Sequence, residues 1–224
     1  MGRQKNVRQV LKPIVFLVDG QDEKWYLEKV REHYKPEVLK KIKILPELAT
    51  KKKVKDLIEE AHRKIEDGCN KVFLILDFDD PLKFKEEMKQ FKLFYDNYCL
   101  VKDSAKFNGL STKMKNRLMW MGNLQLIVNS PCLEYWYLLH DHKTTKFYKT
   151  YAELLPDLKK LPKFRDYVKE EKYYKSNPDI YVRLGGEDAL LKARKNYIPF
   201  DKENCENMGF SEMAKVFDFF DTLS

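Results

Sequence analysis

The chain is short of the features that identify most proteins at sight. Its four cysteines, Cys69, Cys99, Cys132 and Cys205, lie far apart in 224 residues and form no CxxC pair. That excludes a dense disulfide scaffold and a zinc-finger spacing, and the thiols read as mostly buried, in a reducing compartment. No stretch approaches the ~20 apolar residues of a membrane span, and the basic opening MGRQKNVRQVLKP lacks the apolar core of a signal peptide. The expectation is a cytoplasmic protein with no membrane partner. Neither GxxxxGK[ST] nor GxSxG occurs, so P-loop nucleotide hydrolysis and serine hydrolysis lack their residues. Internal repeats and low-complexity linkers are missing too.

What is present is a chain long enough for an ample core and a basic excess. Lys and Arg number 43 against 35 Asp and Glu, a net charge of +8. This is compatible with nucleic acid as a partner without establishing it. The distribution says more than the total. Acids gather in VDGQDE (18–23) and LDFDDP (76–81), whereas bases gather in KMKNR (113–117), KKLPKFR (159–165) and KARK (192–195). An acidic pocket bordered by basic surface suits a metal site acting on a polyanion, with Lys159, Lys160, Lys163 and Arg165 as candidate phosphate contacts.

The apolar runs IVFLV (14–18) and VFLIL (72–76) predict strands buried on both faces, as in a parallel sheet. LQLIV (124–128) also predicts a strand, and the alternating VLKKIKIL (38–45) a weaker one. Between them, helical spacing predicts helices over about 22–34, over 54–65 with Gly68 as the stop, and along Phe84, Met88, Phe91 and Tyr95. The order is β-α-β-α-β-α-β, a three-layer α/β arrangement around a four-stranded, mostly parallel sheet. Residues 96–123 read as an insertion. Residues 1–142 are expected to form the catalytic unit and 143–224 a mainly helical extension packed on it, closed by a helix striped with Phe210, Met213, Phe217 and Phe220.

In an open parallel sheet, side chains just past the carboxyl ends of the strands converge on one crevice. If the first and third strands are neighbours, Asp19 with Glu23 and Asp77 with Asp79 meet there. Hard cations such as Mg²⁺ or Mn²⁺ take oxygen ligands of this kind together with phosphate oxygens. Each cluster alone is also an ordinary turn or helix cap; two at equivalent strand ends favour metal. The order of motifs fits neither a haloacid-dehalogenase phosphatase, whose DxD follows the first strand, nor a receiver domain, which pairs acids there. His140 and His142 are two apart, which on a helix points them in different directions. Trp136 and Tyr137 read as core groups, and KEEKYYKSN, with Tyr173 and Tyr174, as a solvated helix end.

An acid-Gly pair after the first strand and a DxD after the third resemble the Toprim fold of topoisomerases, primases and OLD-type nucleases. More narrowly, VDGQDEKWYLEKV, FLILDFDDP and VNSPCLEYWYLLH resemble the RloB-like family, with Pro131, Cys132, Glu134, Trp136 and His140 all in place in the third motif. The resemblance covers roughly residues 8–142, with an echo in KYYKSNP and EDALLKARKN. It implies a metal-dependent nuclease in which Asp19, Glu23, Asp77 and Asp79 hold Mg²⁺ or Mn²⁺. Glu134 would add a ligand or orient water, and Lys175 would touch the scissile phosphate. It further implies bacterial anti-phage defence beside an ABC-type ATPase, and permits a homo-oligomer. The chain departs from the family pattern at Asp19, where Glu is usual, at Asp22, where Ser or Thr is usual, and at Asn129-Ser130, where the order is Ser-Asn. The rival to catalysis is a non-catalytic nucleic-acid-binding or regulatory subunit with a degenerate site.

Overall fold

The computed structural model describes residues 13–39, 44–50, 53–79 and 85–223. Strands β1 (Ile14–Val18), β2 (Ile44–Leu48), β3 (Lys71–Asp77) and β4 (Leu124–Ser130) run parallel. β5 (Phe210–Ser211) adds an antiparallel edge to give the order β2-β1-β3-β4-β5. Every residue of β1 is buried, as its unbroken apolar run requires in a central strand with helices on both faces. β1 and β3 are neighbours in register, Leu17 opposite Leu74, and Asp77 lies opposite Asn129 of β4. The turn after β1, the end of β3 and the end of β4 therefore share one edge of the sheet.

Helices α1 (Gln21–His33) and α2 (Pro36–Leu39) lead from β1 to β2, and α3 (Val54–Glu66) leads from β2 past β1 to β3. α3 buries Val54, Leu57 and Ala61 at helical spacing. It ends at Gly68, whose φ of 93° is readily available only to glycine. α4 (Lys85–Lys102), α5 (Ser104–Asn108), α6 (Thr112–Leu118) and a 3₁₀ turn at Met119–Asn123 fill the path to β4. The segment read as an insertion is thus helical, and its first part continues α4. α7 (Glu134–Leu139) follows β4. Then come α8 (Tyr151–Lys160), a 3₁₀ turn at Pro162–Phe164, α9 (Glu171–Lys175), α10 (Ile180–Leu184), α11 (Gly186–Lys195), β5 and α12 (Ala214–Asp221).

Three expectations need correction. The sheet has five strands among the described residues and not four. The fifth comes from the extension: Ser211 faces Asn129, Glu212 N–H donates to Val128 O at 3.0 Å, and the buried Glu212 carboxylate accepts from Val128 N–H and Phe200 N–H. A two-residue strand carries no periodicity, so Phe210 reads as part of a helical stripe, whereas the closing helix starts at Ala214. Second, the described part of the weak strand is Ile44–Leu48, which overlaps the expected 38–45 at Ile44 and Leu45 and runs on to Leu48. Pro36–Leu39 form a helical turn, and Pro46 in the strand is tolerable at a sheet edge. Residues 40–43, Phe84, Asp80 and the basic opening lie outside the described residues. Third, Tyr173 and Tyr174 are buried and do not form a solvated helix end.

The core is aromatic and joins the extension to the sheet. Phe16 and Phe73 stack across β1 and β3 at 4.5 Å, with Phe220 and Phe219 of α12 against them. Trp136 is fully buried and its Nε1–H donates to the Tyr26 hydroxyl at 2.8 Å, tying α7 to α1. That is the core role expected of it. His140 is buried as well, and its Nδ1–H donates to Trp136 O. Burial pushes this imidazole down to about 3, so it stays neutral at ordinary pH, with one ring nitrogen committed to the helix.

Candidate metal centre

The site begins with how β1 ends. Val18 is the last strand residue, Asp19 and Gly20 turn the chain, and α1 starts at Gln21. The side chain of Glu23, in the first turn of α1, folds back over Gly20. A Cβ built on Gly20 would lie 2.2 Å from Glu23 Oε2 and 2.7 Å from Asp22 Oδ1. The Gly20 backbone (φ −120°, ψ 157°) is open to any residue, so what selects glycine here is the room it leaves for a carboxylate. Gly20→Ala is therefore expected to cost about 1 kcal/mol or less in stability. It should displace Glu23, and any Mn²⁺ binding at these carboxylates would weaken on the order of 10–100-fold. A melting curve with an Mn²⁺ titration checks this, and unchanged affinity would contradict it.

Asp77, the last residue of β3, brings the third carboxylate. Ligand oxygens of Asp19, Glu23 and Asp77 all lie within 4.8 Å of one another, with Glu23 buried and the other two partly so. Burial is the largest influence on both Glu23 and Asp77, and the neighbouring acids add to it: Asp77, Asp22 and Asp19 for Glu23, and Asp19 first for Asp77. Both carboxyls are held well above the usual carboxylate range. Glu23 Oε2 is buried and makes no hydrogen bond. A carboxylate oxygen removed from water without a donor is costly. An oxygen-only set with one buried, unmatched carboxylate oxygen fits a hard divalent cation, which would satisfy that oxygen and favour ionisation.

A second layer comes from β4, α7 and the extension. Ser211 Oγ–H donates to Asn129 Oδ1 at 2.7 Å, and Asn129 Nδ2 donates to Asp77 Oδ1 at 3.3 Å, so β5 steadies Asp77 through β4. Glu134, fully buried at the start of α7, accepts at Oε1 from the Tyr167 hydroxyl at 2.6 Å and from Lys169 Nζ at 3.0 Å. Its Oε2 has no hydrogen-bond partner. Lys169 Nζ also meets Asp22 Oδ2 at 2.8 Å. The Tyr167 hydroxyl is bonded in turn to Tyr174, which lies near Tyr137, so three buried tyrosines back Glu134.

Among the sequence-predicted residues, the structure brings Asp19, Glu23 and Asp77 together with Glu134 beside them. Asp79 lies two residues past β3, its N–H donating to Pro131 O, and is not one of the three clustered carboxylates. Lys175 is elsewhere: it pairs with Glu28 and Glu171, each at 2.9 Å, on the outer side of α9. The lysine at the acids is Lys169. It is separated from Asp22 by 147 residues, and no motif spacing marks it. In the basic run, Lys160 is exposed and pairs with Asp157 on the surface, Lys163 is half-buried and donates to Leu184 O, and Arg165 is exposed. His142 sits outside the core, on Asp141, and shares no site with His140. A second group able to ligate, Glu32, His33 and Asp179, is mostly exposed, and His33 Nε2 already bonds Asp179 there.

These features describe an α/β protein whose parallel strands deliver buried carboxylates to one sheet edge. The chain belongs to the RloB-like family: the family model for RloB-like proteins matches residues 14–221, nearly the whole chain and well into the extension. Searches of curated proteins and of solved structures found no match. Among the described residues, no helix is long and apolar enough to cross a membrane.

Proposed function

We propose that this RloB-like protein is a metal-dependent phosphodiester nuclease of the Toprim type, with Mg²⁺ or Mn²⁺ as cofactor. The observation that carries this reading is the meeting of Asp19, Glu23 and Asp77 within 4.8 Å, with Glu23 Oε2 buried and unpaired. A divalent cation bound there supplies Lewis-acid polarisation of a phosphodiester oxygen and a water acidic enough to attack near neutral pH. The rest falls to the chain. Asp19, Glu23 and Asp77 hold the cation. Glu134, its Oε1 fixed by Tyr167 and Lys169, keeps Oε2 available to accept a hydrogen bond or a proton from an attacking water. Lys169, whose side chain is 32 % exposed, holds its ammonium beside Asp22 and Glu134, where it would meet the charge of a phosphate. As the resemblance implies, the protein would act on nucleic acid as an effector of bacterial anti-phage defence, with an ABC-type ATPase as partner.

Metal-dependent cleavage of plasmid, single-stranded DNA or RNA by the purified chain tests this. Binding of nucleic acid without cleavage in Mg²⁺ or Mn²⁺ would favour the regulatory alternative. Asp19 provides a sharper comparison. Asp19→Asn keeps the shape and removes the charge, so it is expected to weaken both metal binding and cleavage sharply. Asp19→Glu keeps the charge and gains reach, so it is expected to stay active. If Asp19 were only a turn residue, both changes would be within a few tenths of a kcal/mol of neutral. Identical metal-titration curves for wild type and Asp19→Asn would remove Asp19 from the site.

A further inference from the structure

We propose that Lys169 occupies the place of a second divalent cation, so that the centre takes one metal ion per chain and the ammonium serves as the second positive charge. This rests on the reading of the centre as a metal site and specifies its stoichiometry. Two-metal phosphodiester sites hold their ions ~3.5–4 Å apart and need carboxylates for both. Here Asp19, Glu23 and Asp77 form one oxygen cage. Two acids that adjoin this cage are Asp22 and Glu134, and both are already engaged. Lys169 Nζ lies 2.8 Å from Asp22 Oδ2 and 3.0 Å from Glu134 Oε1, and Tyr167 donates to the same Glu134 oxygen.

The pairing is built and not incidental. Lys169 also lies over the Tyr151 ring, 4.4 Å from its centroid, so elements far apart in sequence hold the ammonium. Glu134 has no exposed surface, and leaving it without a counter-charge would be costly. Burial opposes the charge on Lys169, but Glu134 and Asp22 outweigh it and hold this lysine well above its usual range. Unlike a second Mg²⁺, the ammonium requires no ion from solution and no dehydration on entry.

Counting Mn²⁺ on the purified full-length chain tests the proposal, by calorimetry for stoichiometry and by electron paramagnetic resonance for coupling between ions. Wild type is expected to bind one Mn²⁺ with the spectrum of an isolated ion. Lys169→Met, which frees Asp22 and Glu134, is expected to bind two with the spectrum of a spin-coupled pair, and Lys169→Gln the same. Lys169→Arg, which retains the cation, is expected to bind one. Two coupled ions in wild type would overturn the proposal while leaving the metal centre intact, because the lysine would then be displaced on loading. One ion in wild type and still one in both neutral variants would overturn it as well. No bound ion in wild type would instead reject the metal reading beneath it.

Discussion

Asp77→Asn, stripped of divalent cations with a chelator, is expected to melt higher than the wild type and to lack the rise in Tm expected of the wild type on adding Mn²⁺. Burial and the charge of Asp19 raise the Asp77 carboxyl well above its ordinary range, and Glu23 shares the effect. A carboxyl whose folded-state pKa exceeds its unfolded value keeps its proton longer in the folded chain, so stability falls as pH rises through that interval. The advantage of the variant should therefore vanish in acid, where both states are protonated, and grow toward neutral pH. Each kcal/mol of relieved repulsion corresponds to roughly 2–4 °C in a chain of this size. Asparagine keeps an oxygen to accept from Asn129 Nδ2, so packing is preserved. Mn²⁺ should stabilise the wild type more as pH rises, because binding must displace these protons. A variant that melts lower without metal, or gains as much from Mn²⁺ as the wild type, would contradict the assignment.

Glu134→Gln is expected to reduce cleavage by about 10²–10⁴-fold, the usual worth of a positioned acid or base. It should leave the fold standing, because glutamine still offers an oxygen to Tyr167. Lys175→Ala is the control. Its partners are Glu28 and Glu171 on partly exposed surface, so the change should leave the rate within about twofold. Single-turnover rates for the two variants check this. Equal losses in both would return Lys175 to the site; no loss in Glu134→Gln would remove Glu134 from it.

How far the sequence reaches depends on how local each signal is. Unbroken apolar runs are legible because a strand covered on both faces admits little else, so β1, β3 and β4 can be read from IVFLV, VFLIL and LQLIV. Their ends locate Asp19 and Asp77, and the amphipathic pattern of α1 places Glu23 one turn beyond. β5 is not legible. It is two residues long, and Asn129 and Val128, not an internal period, define it. Lys169 is illegible for a similar reason. Nothing in RDYVKEEKYYK distinguishes it from Lys172 or Lys175, and only the return of the extension over α7 and α1 singles it out. Tyr173 and Tyr174 read as a solvated helix end because they sit in a charged run, yet both are buried, Tyr174 against Tyr167 and Tyr137.

The account stands most directly on where a divalent ion goes. Crystals of the protein soaked in Mn²⁺ and measured at a wavelength where manganese scatters anomalously would show it. The predicted result is a peak between Asp19, Glu23 and Asp77, within roughly 2–2.5 Å of an oxygen from each, in wild type and not in Asp77→Asn. No peak there, or one only at the exposed Glu32, His33 and Asp179 group, would contradict the account.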